Sequence, residues 1–581
     1  MTDAETTPAT IEIDAARPAG RIDRRIYGHF LEGNFFGNIR GGVFDEGSPL
    51  AMGGAGVARG LRRDVVDACR GLGLPVVRWP GGNYASAYHW EDGVGPVDAR
   101  PRRLELTWGG QDGSPREEDN RFGTDEFLAW CHLVGAEPYL NNSCRSVEEA
   151  VRWVEYTNYG GDTHYCRLRA ANGHPEPYGV SLWGLGNETY GAWQMGHRDA
   201  RAYAAAAREH ALFMRKVDPD LRLVAVGRGP RAAEGLAAGA AGGEDPETGA
   251  TAWTDEVLRQ AGDHVDYLSI HLYGASRHRI TSRTGDDEFE TTVGQARYFE
   301  AELRAYADLV AATAGRLGRR RPLALALDEW NMRHLEPAAW PLPEPAPDGG
   351  VAPRDLPAAG APGEPAAPPG RLRVNRWSPR TAADALFYAG VFHAMQRLAG
   401  HAVPVGMANT VNLVNANGLF AVRPGGLVRS ATYYVWDLLQ NHTGPVALPV
   451  AVRGPQAQQA VRQGVLAGPD GAPLTRQEAV PYLDAAATRS EDGRRLHLSV
   501  INRHRRRPLT ASLVLNGRSA ALPQRAGALA LGADVGDVLA ANTIDAPQRV
   551  ATRDLGEVAL EGGAYRFPAH SLTVLTFRLE A

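Results

Sequence analysis

Lysine is almost missing from this chain: of 62 lysine and arginine residues, Lys216 alone is lysine. Arginine carries the remaining positive charge, and with abundant Ala, Gly and Pro this reads as a compositional bias. Arginine-rich stretches such as "NRHRRRP" are therefore discounted as functional signals. Net charge is −5, and no basic stripe with interleaved aromatics occurs, which argues against nucleic acid as a partner. Cysteine is scarce too. Cys69, Cys131, Cys144 and Cys166 are scattered with no C-x-x-C pair, so buried reduced thiols are expected rather than a zinc site or a disulfide framework. No run approaches the roughly 18–20 apolar residues that span a bilayer. The opening "MTDAETTPATIEIDAARPAG" has no basic region leading into an apolar stretch, so a cytoplasmic location is expected, away from membranes. A phosphate-cradling glycine loop before a helix, a G-x-S-x-G elbow and a metal-ligand cluster are all lacking.

What is present is alternation. The 581 residues suit one large domain plus a smaller one. Short β-rich apolar runs lie at 24–33, 75–82, 136–143, 179–188, 221–227, 265–274, 322–331 and 402–412. Amphipathic stretches such as "VEEAVRWVEYTN" and "RDARAYAAAAREHALFMRKVD" separate them, the second stopping at Asp-Pro. Eight strands each followed by a helix predict an α/β chain folded as a (β/α)8 TIM barrel. After about residue 430 short alternating segments ("LHLSVINR", "LTASLVLNG", "AYRFPAHSLTVLTFRL") predict a C-terminal antiparallel β-sandwich. The expected organisation is a strand within 1–22 that joins the sandwich, a catalytic barrel over 23–430 and the sandwich over 431–581. Residues 335–370 are Pro/Ala/Gly-rich and cannot form a core. Following strand seven, they read either as an insertion without a role or as a rim carrying Trp340 toward a substrate.

Several strand candidates end in polar residues that a core would not choose: Glu32, Asn83, Asn142, Asn187, Glu188, His271, Tyr273, Glu329 and Asn331. Strand C-termini converge at one mouth of a barrel, which gathers Glu188 and Glu329 from the ends of strands four and seven. Two facing carboxyls equip a protein for glycosidic bond cleavage. One must keep a proton near neutral pH for the leaving oxygen, and the other must be ionised to meet the anomeric carbon. Arg78, in "VVRWPGGN", is a local cation for the ionised one. Trp79, Trp90 and Trp183 read as packing residues, and Glu105, Glu117 and Glu118 as solvated.

The stretches "RRIYGHFLE", "VVRWPGGNYASAYHWEDGVGPVDARPRR", "WGLGNETYGAWQMGH", "DHVDYLSIHLYG" and "LDEWN", in that order, resemble the α-L-arabinofuranosidases of glycoside hydrolase family 51. The resemblance implies a retaining double displacement with Glu188 as general acid/base and Glu329 as nucleophile. It further implies that Glu32, Asn83 and Asn187 bind sugar hydroxyls, with Asn187 on the 2-OH. Tyr273 would orient the nucleophile with His271 close by and Arg78 near it, and Trp193 would wall the aglycone side. The sequence departs from the family in Phe35 and Phe36 after strand one. It also departs in "MANTVN", which puts Asn409 where a pocket glutamine is usual. Such changes suit an unusual aglycone.

The expectation is a retaining exo-glycosidase releasing terminal α-L-arabinofuranosyl groups from oligosaccharides or small glycosides, needing no metal or organic cofactor and assembling as a homo-oligomer. The rivals are another glycosidase on the same framework (an endo-β-glucanase, a β-xylosidase, or an enzyme for a decorated small-molecule glycoside) and a non-catalytic carbohydrate-binding protein.

Overall fold

The computed structural model describes residues 8–33, 37–54, 56–107, 116–229, 249–276, 289–337, 372–376, 378–467, 473–516, 522–532 and 535–579. Phe35, Phe36, Trp340 and nearly all of the Pro/Ala-rich segment lie outside these residues.

Eight parallel strands run as β1 (Gly28–Phe30), β2 (Val76–Trp79), β3 (Glu137–Asn142), β4 (Leu182–Leu185), β5 (Arg222–Ala225), β6 (Tyr267–Ser276), β7 (Ala324–Pro337) and β8 (Val405–Thr410). Each bonds to the next, and β8 returns to β1, so the sheet closes into a barrel. Val76, Tyr139, Leu182, Val224, Tyr267, Ala326 and Met407 fill its interior as one apolar layer. Helices cover the outside for local reasons. The helix Ala200–Val217 starts where the Asp199 side chain accepts from the Ala202 amide, buries Tyr203, Ala204, Ala207, Ala211 and Met214, and ends before Pro219. Trp79, Trp90 and Trp183 are packing residues, each at most 1% exposed. All four cysteines are buried and unbridged. Among the described residues no helix is long and apolar enough to cross a membrane. One expectation is corrected: Glu105 and Glu118 are buried on the paired strands Arg103–Glu105 and Arg116–Glu118. Burial lifts the Glu118 carboxyl to about 7.

The C-terminal part is antiparallel and sheet-rich. A four-stranded sheet (Val450–Arg453, Ala9–Asp14, Leu509–Asn516, Ala564–Phe567) faces a seven-stranded one that includes Leu483–Arg489, Arg495–Asn502 and Ser571–Arg578. The alternation in "ATIEID" puts Ile11 and Ile13 into the core between them, where they meet Leu498, Val500 and Phe577. Ala9–Asp14 pairs parallel with Leu509–Asn516 and antiparallel with Val450–Arg453.

The helix Ala382–Arg397 joins barrel to sandwich through a buried charge cluster. Asp484 accepts from His393 Nδ1 at 2.6 Å, Arg503 at 2.6 Å and Arg397 at 3.2 Å. Burial alone would raise the Asp484 carboxyl, but Arg397, Arg503 and His393 hold it well below the usual carboxylate range. An Asp484→Ala variant takes this anion from the buried Arg503, while the half-buried Arg397 keeps Glu300, so it should lose about 3 kcal/mol of stability. The sign of the pH dependence follows from the depressed pKa. The contribution is present above the ordinary carboxylate pKa and lost as pH falls through the folded value. Denaturant midpoints measured near neutrality and at acid pH check both statements; equal midpoints for variant and parent near neutrality would refute them.

Candidate active site

The turn "GLGNET" after β4 is shaped by its glycine. Gly186 sits at φ +92°, and a Cβ there would press on Thr189 at 2.9 Å and on Cys144 at 3.1 Å. Glu188 itself is held at φ +41°, a conformation that glutamate rarely adopts, so the carboxyl is aimed by a strained backbone. In "WPGGN" two bare glycines admit two carboxylates: a Cβ on Gly81 would meet Glu32 Cγ at 2.4 Å, and one on Gly82 would meet Glu329 Oε1 at 2.7 Å.

The third device is in β7. Its pairing with β8 shifts register between Leu327 and Trp330, and its pairing with β6 shifts between Ser269 and His271. A shift of this kind breaks strict in-out alternation, and Asp328 and Glu329, though adjacent, both reach the cluster around His271.

Glu188, His271 and Glu329 bring donor atoms within 4.8 Å of one another. The two glutamates have different partners. Glu329 Oε1 accepts from Arg78 Nη1 at 2.9 Å, and Oε2 accepts from the Tyr273 hydroxyl at 2.7 Å. Burial and the Glu329 charge keep the Tyr273 phenol far above its ordinary pKa, so it stays a donor. Glu188 Oε1 lies 2.8 Å from His271 Nδ1, and Oε2 accepts from Trp193 Nε1 at 3.1 Å. His271 Nε2 lies 3.1 Å from Asp328 Oδ1. Burial would lower the imidazole, but Glu329, Asp328 and Glu188 together raise it to about 10. Burial would raise the Glu188 carboxyl, yet the His271 hydrogen bond and charge bring it below its ordinary value. Both shifts favour a charged imidazole beside an ionised Glu188.

The mouth opens into a cavity of about 330 Å³ lined by Glu32, Asn83, Glu188, Trp193, Tyr273 and Glu329, with Asn331, Arg333 and Arg376 among its other walls. Glu32 is buried, and its Oε1 accepts from the Tyr84 amide at 3.0 Å. Asn83 Oδ1 accepts from Gln194 Nε2 at 2.5 Å. Arg78 and His271, expected beside the nucleophile, stand there, and Asn187 and Asn409 are buried. Arg78, at 1% exposure, lies behind the nucleophile and donates to Glu329 and to Asn187 Oδ1 at 2.8 Å. Asn187 and His271 are buried, His271 against Glu188 and Asn187 against Arg78. Asn409 is fully buried; its Nδ2 donates to the His29 carbonyl at 2.9 Å, and the cavity wall after β8 is Val411 and Asn417 instead. Asp328, Gln194, Arg333 and Arg376 escaped the sequence reading. The adjacency of Asp328 to Glu329 was the one available signal, and strand alternation argued against it.

The comparisons with known proteins agree with this geometry. Residues 68–281 match the model of the α-L-arabinofuranosidase 1 domain, and residues 328–571 match that of the α-L-arabinofuranosidase C-terminal domain. The α-L-arabinofuranosidase C of Emericella nidulans is 30% identical over 585 residues, 98% of this chain and 97% of that one. The GH51 α-L-arabinofuranosidase structure from Thermotoga petrophila is 32% identical, with a TM-score of 0.76 over 98% of this chain and 100% of that one. This chain belongs to the α-L-arabinofuranosidases of glycoside hydrolase family 51. An intracellular exo-α-(1→5)-L-arabinofuranosidase of Streptomyces lividans shares 34% identity over 453 residues, 77% of this chain and 59% of that one. A GH44 endoglucanase from Clostridium thermocellum, 12% identical at a TM-score of 0.55, shares the fold alone.

As a family 51 glycoside hydrolase, this protein acts on carbohydrate. Glu188, His271 and Glu329 are also spaced as metal ligands are, but both His271 nitrogens already face carboxylates, so the ring has no lone pair turned to an open position.

Proposed function

We propose that this enzyme removes terminal α-L-arabinofuranosyl groups from short oligosaccharides or small glycosides with retention of configuration. The observation that carries this reading is the spacing of Glu188 and Glu329, whose oxygens lie within 4.8 Å. Retaining enzymes set the two carboxyls about 5–5.5 Å apart, while inverting ones leave room for a water between them.

Glu329, gripped by Arg78 and Tyr273, attacks the anomeric carbon and forms a glycosyl ester. That step consumes the Glu329 charge, which is foremost among the charges holding the proton on His271. As the charge vanishes, the proton moves across the 2.8 Å bond to Glu188 and on to the departing oxygen. Water then attacks the ester, giving its proton back to Glu188 and His271 as Glu329 is restored. Glu32 and Asn83 bind ring hydroxyls from the cavity wall, and Asn187, fixed by Arg78, is assigned to the 2-OH on family resemblance. Exposed Trp193 offers an apolar wall to the leaving side. The small cavity supports exo action on a chain end. The intracellular S. lividans relative supports the same location here, and a homo-oligomer is part of the same proposal on family resemblance.

A panel of aryl furanosides and pyranosides tests the sugar: arabinofuranoside turnover is expected, and turnover of pyranosides alone would reject this reading. An Asp328→Asn variant tests the proton path. With that carboxylate gone the imidazole gives up its proton more easily, so the alkaline limb of kcat/KM should move to lower pH. A lower kcat with an unmoved limb would make Asp328 a merely structural neighbour.

A further inference from the structure

Gln194 follows Trp193 on the turn after Glu188, and it is 4% exposed. That turn is tightly folded. The Gly191 amide donates to the Glu188 carbonyl at 2.7 Å, the Gln194 amide to the Gly191 carbonyl at 3.0 Å, and the Arg198 amide to the Thr189 carbonyl at 2.8 Å. A Cβ on Gly191 would lie 2.4 Å from the Trp193 ring, so the turn closes only over a bare glycine. From it Trp193 bonds to Glu188, and Gln194 bonds to Asn83 in the loop after β2.

A buried cation dictates the polarity of the Gln194 contact. The Arg78 guanidinium can only donate, so the Asn187 side chain must turn its oxygen to it, 2.8 Å from Nη2. That leaves the Asn187 amide nitrogen for Asn83, whose Oδ1 lies 3.4 Å away. Asn83 must then present oxygen on this side, and Gln194 must answer with nitrogen, which it does at 2.5 Å. Each amide is oriented by the one before it, in a chain that starts at a charge. Two ends remain. Gln194 Oε1 is buried with no hydrogen-bond partner, a cost that an apolar side chain of similar size would avoid, so packing does not explain a glutamine here. At the other end Asn83 lines the cavity, and its Nδ2 donates to no acceptor among the described residues.

We infer that Gln194 is a positioning residue for the substrate: it locks the Asn83 amide with its N–H donors free for the sugar, so that Asn83 reads the acceptor lone pair of one hydroxyl. The same turn thereby ties the sugar-binding amide to the Glu188 carboxyl, through adjacent residues. The inference rests on the arabinofuranosidase reading and adds the polarity of one sugar contact and the residue that sets it.

4-Nitrophenyl α-L-arabinofuranoside and its 2-, 3- and 5-deoxy counterparts, each lacking one hydroxyl, test it. The readout is the deoxy penalty, the fold loss in kcat/KM when a hydroxyl is removed. Comparing each penalty between parent and variant cancels the intrinsic reactivity of the substrates and any general slowing of the enzyme. Asn83→Ala should reduce one penalty by about tenfold, which marks the hydroxyl that Asn83 meets. Gln194→Leu should reduce that same penalty by about threefold or more and leave the other two unchanged. Gln194→Glu, which offers Asn83 Oδ1 only an acceptor, should reduce it at least as far. Asn83→Asp should behave as Asn83→Ala does, because a carboxylate cannot donate. Gln194 variants that slow all four substrates by one factor, or that keep every parental penalty, overturn the proposal, as does an Asn83→Asp enzyme with the parental penalties. Equal penalties in the parent and Asn83→Ala remove Asn83 from the sugar and the proposal with it, while the arabinofuranosidase reading stands. A parent that hydrolyses none of the four arabinofuranosides sinks that reading instead.

Discussion

A Glu329→Gln enzyme is expected to fold as the parent does and to turn over aryl arabinofuranosides about 10⁵-fold more slowly, since removing a covalent nucleophile costs losses of that order. The amide keeps the shape of the carboxylate and can still accept from Tyr273. Arg78 loses its closest anion but retains Asp328 and the Asn187 oxygen, so the barrel has no large uncompensated charge. What disappears is the ability to form an ester with the anomeric carbon. Two measurements separate this from a general disturbance. Near-parental affinity for arabinose should accompany the loss of kcat. Mass spectrometry of the parent, quenched during turnover of a slow substrate, should also find one glycosyl adduct on the peptide containing Glu329. An adduct on another residue, or turnover by the amide variant within tenfold of the parent, would remove Glu329 from its role.

Much of this site was legible in the sequence because a TIM barrel collects strand ends. Once the alternation of strand and helix was read, Glu188 and Glu329 had to share one mouth. The apolar strands were equally plain: "ATIEID" alternates cleanly, and its isoleucines lie in the sandwich core. What escaped was set by register. Asn409 sits at a strand end and was expected in the pocket, but it points into the barrel; its neighbour after the strand, Val411, forms the wall instead. Asp328 escaped for the converse reason, since a register irregularity in β7 turned it toward His271 when alternation would have sent it away. Arg333 and Arg376 were hidden by composition. In a chain whose cations are nearly all arginine, two more drew no notice, and only their place in the cavity wall sets them apart. The imidazole at 2.8 Å from Glu188 was likewise out of reach of the sequence, since His271 lies 83 positions away on another strand.

Removal of Glu188 should show a dependence on leaving group that no structural role can imitate. Proton donation matters in proportion to the basicity of the departing oxygen. A Glu188→Ala enzyme should therefore lose about 10³–10⁴-fold against a sugar leaving group, which must be protonated as it goes. Against 2,4-dinitrophenyl arabinofuranoside, whose phenolate departs unaided, the first step should proceed at close to the parental rate. The glycosyl-enzyme then has no base to activate water, so it should accumulate, giving a burst of phenolate followed by slow turnover. A small anion needs no such base. Azide should therefore restore turnover by entering the space vacated by the carboxyl, and the product should be an arabinofuranosyl azide of retained configuration. Trp193 and His271, the two groups bonded to Glu188, remain in the variant, so the wall and the cation beside the leaving group are unchanged. If the loss were equal for both leaving groups and azide gave no rescue, Glu188 would be holding the turn together rather than moving a proton. A leaving-group slope that steepens in the variant, together with the azide product, requires that the proton pass through position 188.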